Sequence, residues 1–121
     1  MFDYVKISVL VGQTLFKIEN KDDELIFWGN DGRKFRMFHQ QSCCENVRVE
    51  DVAGELDDLI GTPILVAEER SQTNPDASES GTWTFYVLRT IKGSVTIRWY
   101  GSSSGYYSES VSFWQVKEDD N

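Results

Sequence analysis

The sequence predicts an α+β fold: about seven strands in one or two antiparallel sheets, ordered as three strands, one short acidic helix and four strands. The first observation behind this prediction is the period-two alternation of apolar and polar residues near both ends of the chain, which is typical of half-buried strands. The second is a central segment whose apolar residues fall at helical spacing, namely Val52, Leu56, Leu59 and Ile60. Gly61 and Pro63 follow this segment and would end a helix.

Three strands are predicted before the helix, near residues 14–20, 23–29 and 33–40. The polar run NKDDE separates the first two strands, and the Asp31-Gly32 pair is a strong hairpin signal between the second and the third. The helix is expected over 51–60 with its acidic residues outward. Gly54 weakens that expectation, because glycine in a helix costs about 1 kcal/mol relative to alanine.

Four strands are predicted after the helix, near 64–69, 82–91, 94–100 and 106–116. The polar, proline-containing segment 71–81 is expected to be a mobile loop, and the acidic segment 117–121 a flexible tail. The chain has 121 residues, which fits one domain spanning 1–121.

The formal net charge of -8 argues against binding to duplex DNA or to an anionic membrane, because phosphate binding needs a clustered positive field. From Glu45 to Arg70 the chain carries eight acidic residues against two arginines. This region is either a solvated face or a surface that binds a basic partner. No stretch approaches the roughly 20 apolar residues of a membrane span, so we expect a cytoplasmic protein. Reduced cysteines fit that compartment.

Two long motifs resemble a family of small proteins encoded mainly by bacteriophages and prophages. They read FHQQSCCENVRVEDVAGELDDLIGTPILVAEE and WTFYVLRTIKGSVTIRWYGSSSGYYSESVSF, and the resemblance covers about residues 12–116. By size and site composition the chain also resembles the phage Thoeris anti-defence proteins of the first type. That resemblance implies a small oligomeric α+β protein that acts as a sponge for nucleotide-derived immune signals in the cytoplasm of the infected host.

The segment RWYGSSSGYYSE concentrates the side chains that a nucleotide ligand needs. Flat rings stack a base, hydroxyls and amides contact ribose or phosphate, and an arginine fork binds phosphate oxygens. The candidate ligand-binding residues are Arg98, Trp99, Tyr100, Ser102, Ser103, Ser104, Tyr106, Tyr107 and Glu109. No glycine-rich phosphate-binding motif accompanies them. A serine-rich hairpin with aromatic cross-strand pairs is the structural alternative.

A second cluster consists of His39, Cys43, Cys44 and Glu45. A structural zinc site needs about four ligands with a second cysteine or histidine pair, and the sequence offers none. A cysteine nucleophile with His39 as its base is chemically possible, but no orienting partner is evident. The alternative is that the thiols fill space and the polar side chains satisfy local backbone groups.

These observations favour a non-enzymatic protein, without metal or cofactor, that sequesters a nucleotide-derived signal such as a cyclic ADP-ribose isomer or a cyclic oligonucleotide. Exposed aromatic residues suit a homo-oligomer. The alternative function is an acidic inhibitor that mimics nucleic acid or binds a host defence complex through the 45–70 region. An enzyme that degrades the signal is the weakest of the three hypotheses, because no nucleophile elbow or metal-binding array occurs.

Overall fold

Nine β-strands and two single-turn 3-10 helices make up the computed structural model, which describes residues 2–41, 44–105 and 108–116. The strands are β1 Phe2–Tyr4, β2 Leu15–Lys21, β3 Glu24–Gly29, β4 Lys34–Phe38, β5 Glu45–Ala53, β6 Val66–Thr73, β7 Ser80–Thr90, β8 Gly93–Ser103 and β9 Ser112–Val116. The 3-10 turns are Ile7–Leu10 and Leu56–Leu59. Within these residues, no helix is long and apolar enough to cross a membrane.

The strands form two antiparallel sheets. The five-stranded sheet has the order β1-β9-β4-β3-β2, and the four-stranded sheet has the order β5-β8-β7-β6. Apolar side chains from both sheets belong to one buried cluster, which includes Phe27 and Phe35 from the first sheet and Leu88 and Ile97 from the second. The two sheets therefore pack face to face as a β-sandwich.

The predicted α+β fold is wrong, because the segment 51–60 does not form a helix. Residues through Ala53 belong to β5, where Val52 pairs with Ile97 of β8. Gly54 then adopts a φ of 105°, which lies outside the helical region, and a Cβ there would stand 2.5 Å from the Ser94 carbonyl oxygen. Only Leu56–Leu59 retains a helical turn, and Leu59 is fully buried under the sheets. The apolar residues at helical spacing therefore belong to two different elements: Val52 to the end of β5, and Leu56 and Leu59 to this turn.

The other departures from the predicted strands are smaller. β2, β3, β4, β6, β7 and β8 overlap the predicted strands, whereas β1 was not predicted and β9 begins only at Ser112. The expected loop over 71–81 is shorter, because β6 continues through Thr73 and β7 begins at Ser80. The predicted tail 117–121 lies outside the described residues.

Trp99 of β8 lies at the centre of the sandwich. Its side chain has no exposed surface, and its indole Nε1–H donates to the Met37 sulfur of the opposite sheet at 3.3 Å. Alternate residues Val95 and Ile97 are also buried, while Arg98 and Tyr100 face outward. The period-two pattern of β8 thus assigns its odd-numbered residues to the core.

Trp99→Phe is expected to lower the free energy of unfolding by about 1–3 kcal/mol, because it leaves a cavity and removes the bond to Met37. Trp83→Phe is the matched control, since Trp83 lies partly exposed on the outer face of the same sheet. Urea unfolding of both variants measures the difference. Equal losses of stability would contradict the placement of Trp99 at the centre of the core.

Candidate functional site

The two clusters predicted from the sequence meet at one end of the four-stranded sheet. Glu45 pairs with Ser103 and Asn46 pairs with Ser102, because the start of β5 runs beside the end of β8. A groove of about 510 Å³ opens here, lined by residues 44–46, residues 77–80, Tyr100 and residues 102–104. We call it the serine groove.

Tyr100 contributes the aromatic wall of the serine groove. The Asn74 side-chain amide donates to the Tyr100 hydroxyl at 2.9 Å, and the rings of Tyr100 and Trp83 are 4.5 Å apart between centroids with a tilt of 54°. Both contacts hold the tyrosine in one orientation. A ligand that reaches the groove therefore meets a fixed ring rather than a freely rotating one.

Glu109 lies on the other side of the β8 end and attaches the β8–β9 connection to the sheet. The Thr82 hydroxyl donates to its Oε1 at 2.7 Å, and the Ser103 hydroxyl donates to its Oε2. Burial raises the pKa of the Glu109 carboxyl, but hydrogen bonds from Ser103, Ser80 and Thr82 outweigh burial and lower its pKa below the ordinary value of 4.5. Glu109 thus acts as a structural acceptor, and it lines a second hollow of about 330 Å³.

Gly101 allows this attachment to form. A Cβ added there would lie 2.5 Å from the Glu109 carbonyl oxygen and 2.9 Å from the Glu109 Cβ. The connection therefore packs directly on the bare backbone of β8, and a side chain at Gly101 would push it away.

His39 joins the two sheets beside the groove. Its Nδ1 donates to the Ser110 carbonyl oxygen at 2.7 Å, and its Nε2 lies 3.0 Å from Glu45 Oε1. The side chains of His39 and Glu45 are only 7% and 5% exposed. His39 thus bonds to a backbone carbonyl of the β8–β9 connection and contacts the Glu45 carboxylate of β5. Cys44 is disulfide-bonded, contrary to the expected reduced thiols, and Cys43 lies outside the described residues.

Besides Glu109, two further predicted ligand residues stand apart from the groove. Trp99 is buried in the core and offers no surface on which a ligand ring stacks. Arg98 lies on the outer face of β8, where its Nη2 donates to Asp51 Oδ2 at 2.8 Å and its guanidinium lies 5.0 Å from the centre of the Trp83 ring. Tyr106 and Tyr107 lie outside the described residues.

Sequence reasoning missed several residues that shape the site: Asn46, Asn74, Ala77, Ser78, Ser80 and Thr82. Five of the six are polar, and four fall in the segment 71–81 that was assigned to a loop. The pairing of β5 with β8 could not be predicted, because the sequence was interpreted as a helix over 51–60 and no strand was predicted before it.

The acidic region does not form one uniform surface. Three of its carboxylates lie beside arginines: Glu50 is 2.9 Å from Arg48, Asp51 is 2.8 Å from Arg98 and Glu68 is 3.4 Å from Arg70. A fourth, Glu45, is buried against His39. These contacts weaken the field that a surface mimicking nucleic acid would need.

The lining of the serine groove is rich in hydrogen-bonding side chains. Serine hydroxyls and the Asn46 amide both donate and accept hydrogen bonds. The described lining contains the acids Glu45 and Glu79 but no lysine or arginine. Among the described residues, no group of three or more histidine, cysteine or acidic side chains is arranged to hold a metal ion.

The fold and the groove define a small two-sheet β protein with an open polar site at the end of one sheet. A family model described as a domain of unknown function, DUF7448, matches residues 8–113, and the chain belongs to this family. Neither the curated proteins nor the solved structures include a match to the chain.

Gly101→Ala is expected to cost about 1–3 kcal/mol of stability, because the new methyl group overlaps the Glu109 backbone. Thermal and urea unfolding measure the loss. Ser102→Ala, one residue further along β8 and on its opposite face, is the control and should change stability little. An unchanged midpoint for Gly101→Ala would show that the connection does not pack on β8.

Glu109→Gln is expected to lower stability at pH 7 by about 1 kcal/mol, because the amide accepts fewer hydrogen bonds than the carboxylate. A carboxyl whose pKa is lowered by folding stabilises the protein above its unfolded pKa, and this contribution is lost as the pH falls through the folded pKa. The difference between wild type and variant should therefore shrink below pH 4.5. Urea unfolding from pH 7 to acid measures it, with Ser108→Ala as an uncharged control in the same connection. A pH-independent difference would contradict the role given to the carboxylate.

Proposed function

We propose that this DUF7448 protein is a non-catalytic binding protein whose serine groove captures a small, hydroxyl-bearing ligand derived from a nucleotide. The supporting observation is the meeting of both predicted clusters at one groove of about 510 Å³. Ligand sites of small molecules commonly measure about 300–1,000 Å³. The proposed role is that of a phage anti-defence sponge, which keeps an immune signal of the host below the level that activates its effector.

Recognition of a nucleoside follows from the two kinds of side chain in the groove. Tyr100 offers a fixed ring beside which a base or sugar ring packs, and Ser102 and Ser104 offer hydroxyls to a ribose. Asn46, across the strand pair from Ser102, adds an amide. Ring and hydroxyl contacts thus carry the proposed affinity.

Phosphate contacts contribute less in this arrangement. Arg98 is two residues from Tyr100 along β8, which is about 7 Å, and it already donates to Asp51. A phosphate oxygen would have to compete with that carboxylate. Compact ligands whose phosphates point out of the groove are therefore the best candidates within the class.

Ligand-dependent thermal melting tests the proposal. The panel contains cyclic ADP-ribose isomers, cyclic oligonucleotides and the corresponding nucleosides, and one class should raise the melting temperature by several degrees. Heat denaturation should then release the ligand intact. The double variant Ser102→Ala with Ser104→Ala should lose most of the shift, whereas Ser94→Ala at the far end of β8 should keep it.

Two results would contradict the proposal. Recovery of a cleaved ligand would indicate an enzyme. The absence of a shift with every member of the panel would remove the serine groove as a nucleotide site and favour the alternative, in which the acidic region binds a protein of a host defence complex.

A further inference from the structure

The outward face of the five-stranded sheet carries a surface that the proposed function does not use. Cross-strand pairing places its residues next to one another: Tyr4 opposite Trp114, Trp114 opposite Arg36, and Arg36 opposite Ile26 in one row. Val116, Lys34, Trp28 and Lys17 form the next row. We call this surface the aromatic face and define it by these residues together with Phe38, Glu24, Glu19 and Lys21.

The floor of the aromatic face is apolar although it lies outside the main core. Ile26, Phe38 and Val116 are only 6%, 9% and 8% exposed, yet they do not belong to the buried cluster between the sheets. The side chains around them shield them from water. The outward side of this sheet is therefore a second packed layer rather than an ordinary polar exterior.

Aromatic rings stand on this floor across three neighbouring strands. Trp114 meets Tyr4 edge to face at 5.0 Å and Phe38 at 4.6 Å. Tyr4 is 73% exposed, so most of its ring surface is open to a ligand. The packing of Tyr4 against Trp114 restricts its orientation, which lowers the entropy cost of stacking a ligand ring on it.

Cations lie among these rings. The Nζ atoms of Lys17 and Lys34 are 4.7 Å and 5.3 Å from the centre of the Trp28 ring, and the Arg36 guanidinium lies 4.0 Å from the centre of the Phe38 ring. These contacts hold positive charge at the surface while the side-chain stems cover the apolar floor.

The charge of the aromatic face is opposite to that of the whole chain. The described part of this face has four basic residues, Lys17, Lys21, Lys34 and Arg36, against the acids Glu19 and Glu24. The chain as a whole has a net charge of -8. Lys17 and Lys21 both lie 3.7 Å from Glu19, and Arg36 pairs with Glu24. The four basic side chains still exceed the two acidic ones, so the complementary ligand of this face is an anion.

We propose that the aromatic face binds single-stranded nucleic acid. Proteins that bind single strands combine positive charge along the phosphate backbone with aromatic rings on which bases stack, and this face has both on one open antiparallel sheet. Packing against the same face of a second copy would bring like charges together. An acidic peptide would satisfy the cations but would leave Tyr4 without a stacking partner.

Fluorescence anisotropy with a labelled oligonucleotide of about 12 nucleotides, in RNA and DNA forms, tests the proposal. Binding should be measurable at low salt and weaken as salt rises, with a duplex of the same sequence bound more weakly. Tyr4→Ala should weaken binding about tenfold or more, the range expected for one stacked base. Because Tyr4 is mostly exposed, this variant should fold normally.

The double variant Lys17→Ser with Lys34→Ser should weaken binding and reduce the slope of affinity against salt by about 0.7 for each phosphate that the variant no longer neutralises. The matched control is Arg70→Ser, which removes a basic side chain that is 75% exposed on the other sheet and should leave the affinity unchanged. Ser102→Ala with Ser104→Ala should also bind like wild type, which separates this proposal from the serine groove.

Three results would overturn the proposal. The first is no binding at low salt. The second is equal binding of poly-glutamate with no effect of Tyr4→Ala, which would identify an acidic protein segment as the partner. The third is binding of phosphatidylserine vesicles without binding of oligonucleotides, which would identify a membrane surface.

Discussion

The connection from β8 to β9 has to pass from the four-stranded sheet to the five-stranded sheet, and the Glu109 carboxylate holds it against the strand it leaves. Thr82 and Ser103 supply hydroxyl donors to that carboxylate, and Gly101 supplies the space for the Glu109 backbone. His39 reinforces the same crossing through the Ser110 carbonyl oxygen. The end of β8 and this connection contribute to both hollows: residues 102–104 line the serine groove, and Gly105, Glu109 and Ser110 line the second hollow.

The strands could be predicted where buried and exposed residues alternate along the sequence. The prediction failed where apolar residues have helical spacing but the chain pairs with a distant strand. In β8, buried Val95, Ile97 and Trp99 alternate with outward residues, so period two is visible in the sequence. At 51–60 the apolar residues have helical spacing, but the pairing of Val52 with Ile97 continues the strand to Ala53, and the φ of Gly54 excludes a helix at the next residue. Those determinants are tertiary, because a strand of high contact order depends on a partner distant in sequence.

The candidate site was predicted in part for the same reason. Ser102 and Ser104 attracted attention through composition, and the structure places them in the groove with Glu45. Trp99 belongs to the same stretch but points into the core, because adjacent residues of a strand face opposite sides of the sheet. Composition indicates which segment lines the groove, whereas strand register decides which of its residues point into it.

The two surfaces follow from one property of a sandwich, which uses the inner face of each sheet for the core and leaves sheet ends and outer faces for binding. At the end of the four-stranded sheet the lining of the serine groove is rich in hydroxyl groups and includes two acids. Such a lining suits a ligand that is recognised through its own rings and sugar hydroxyls. On the five-stranded sheet, lysines and an arginine lie over aromatic rings, which suits an extended anion. Salt should therefore weaken the proposed binding at the aromatic face far more than the proposed binding at the serine groove, since screening acts on charge and only slightly on hydrogen bonds and packing.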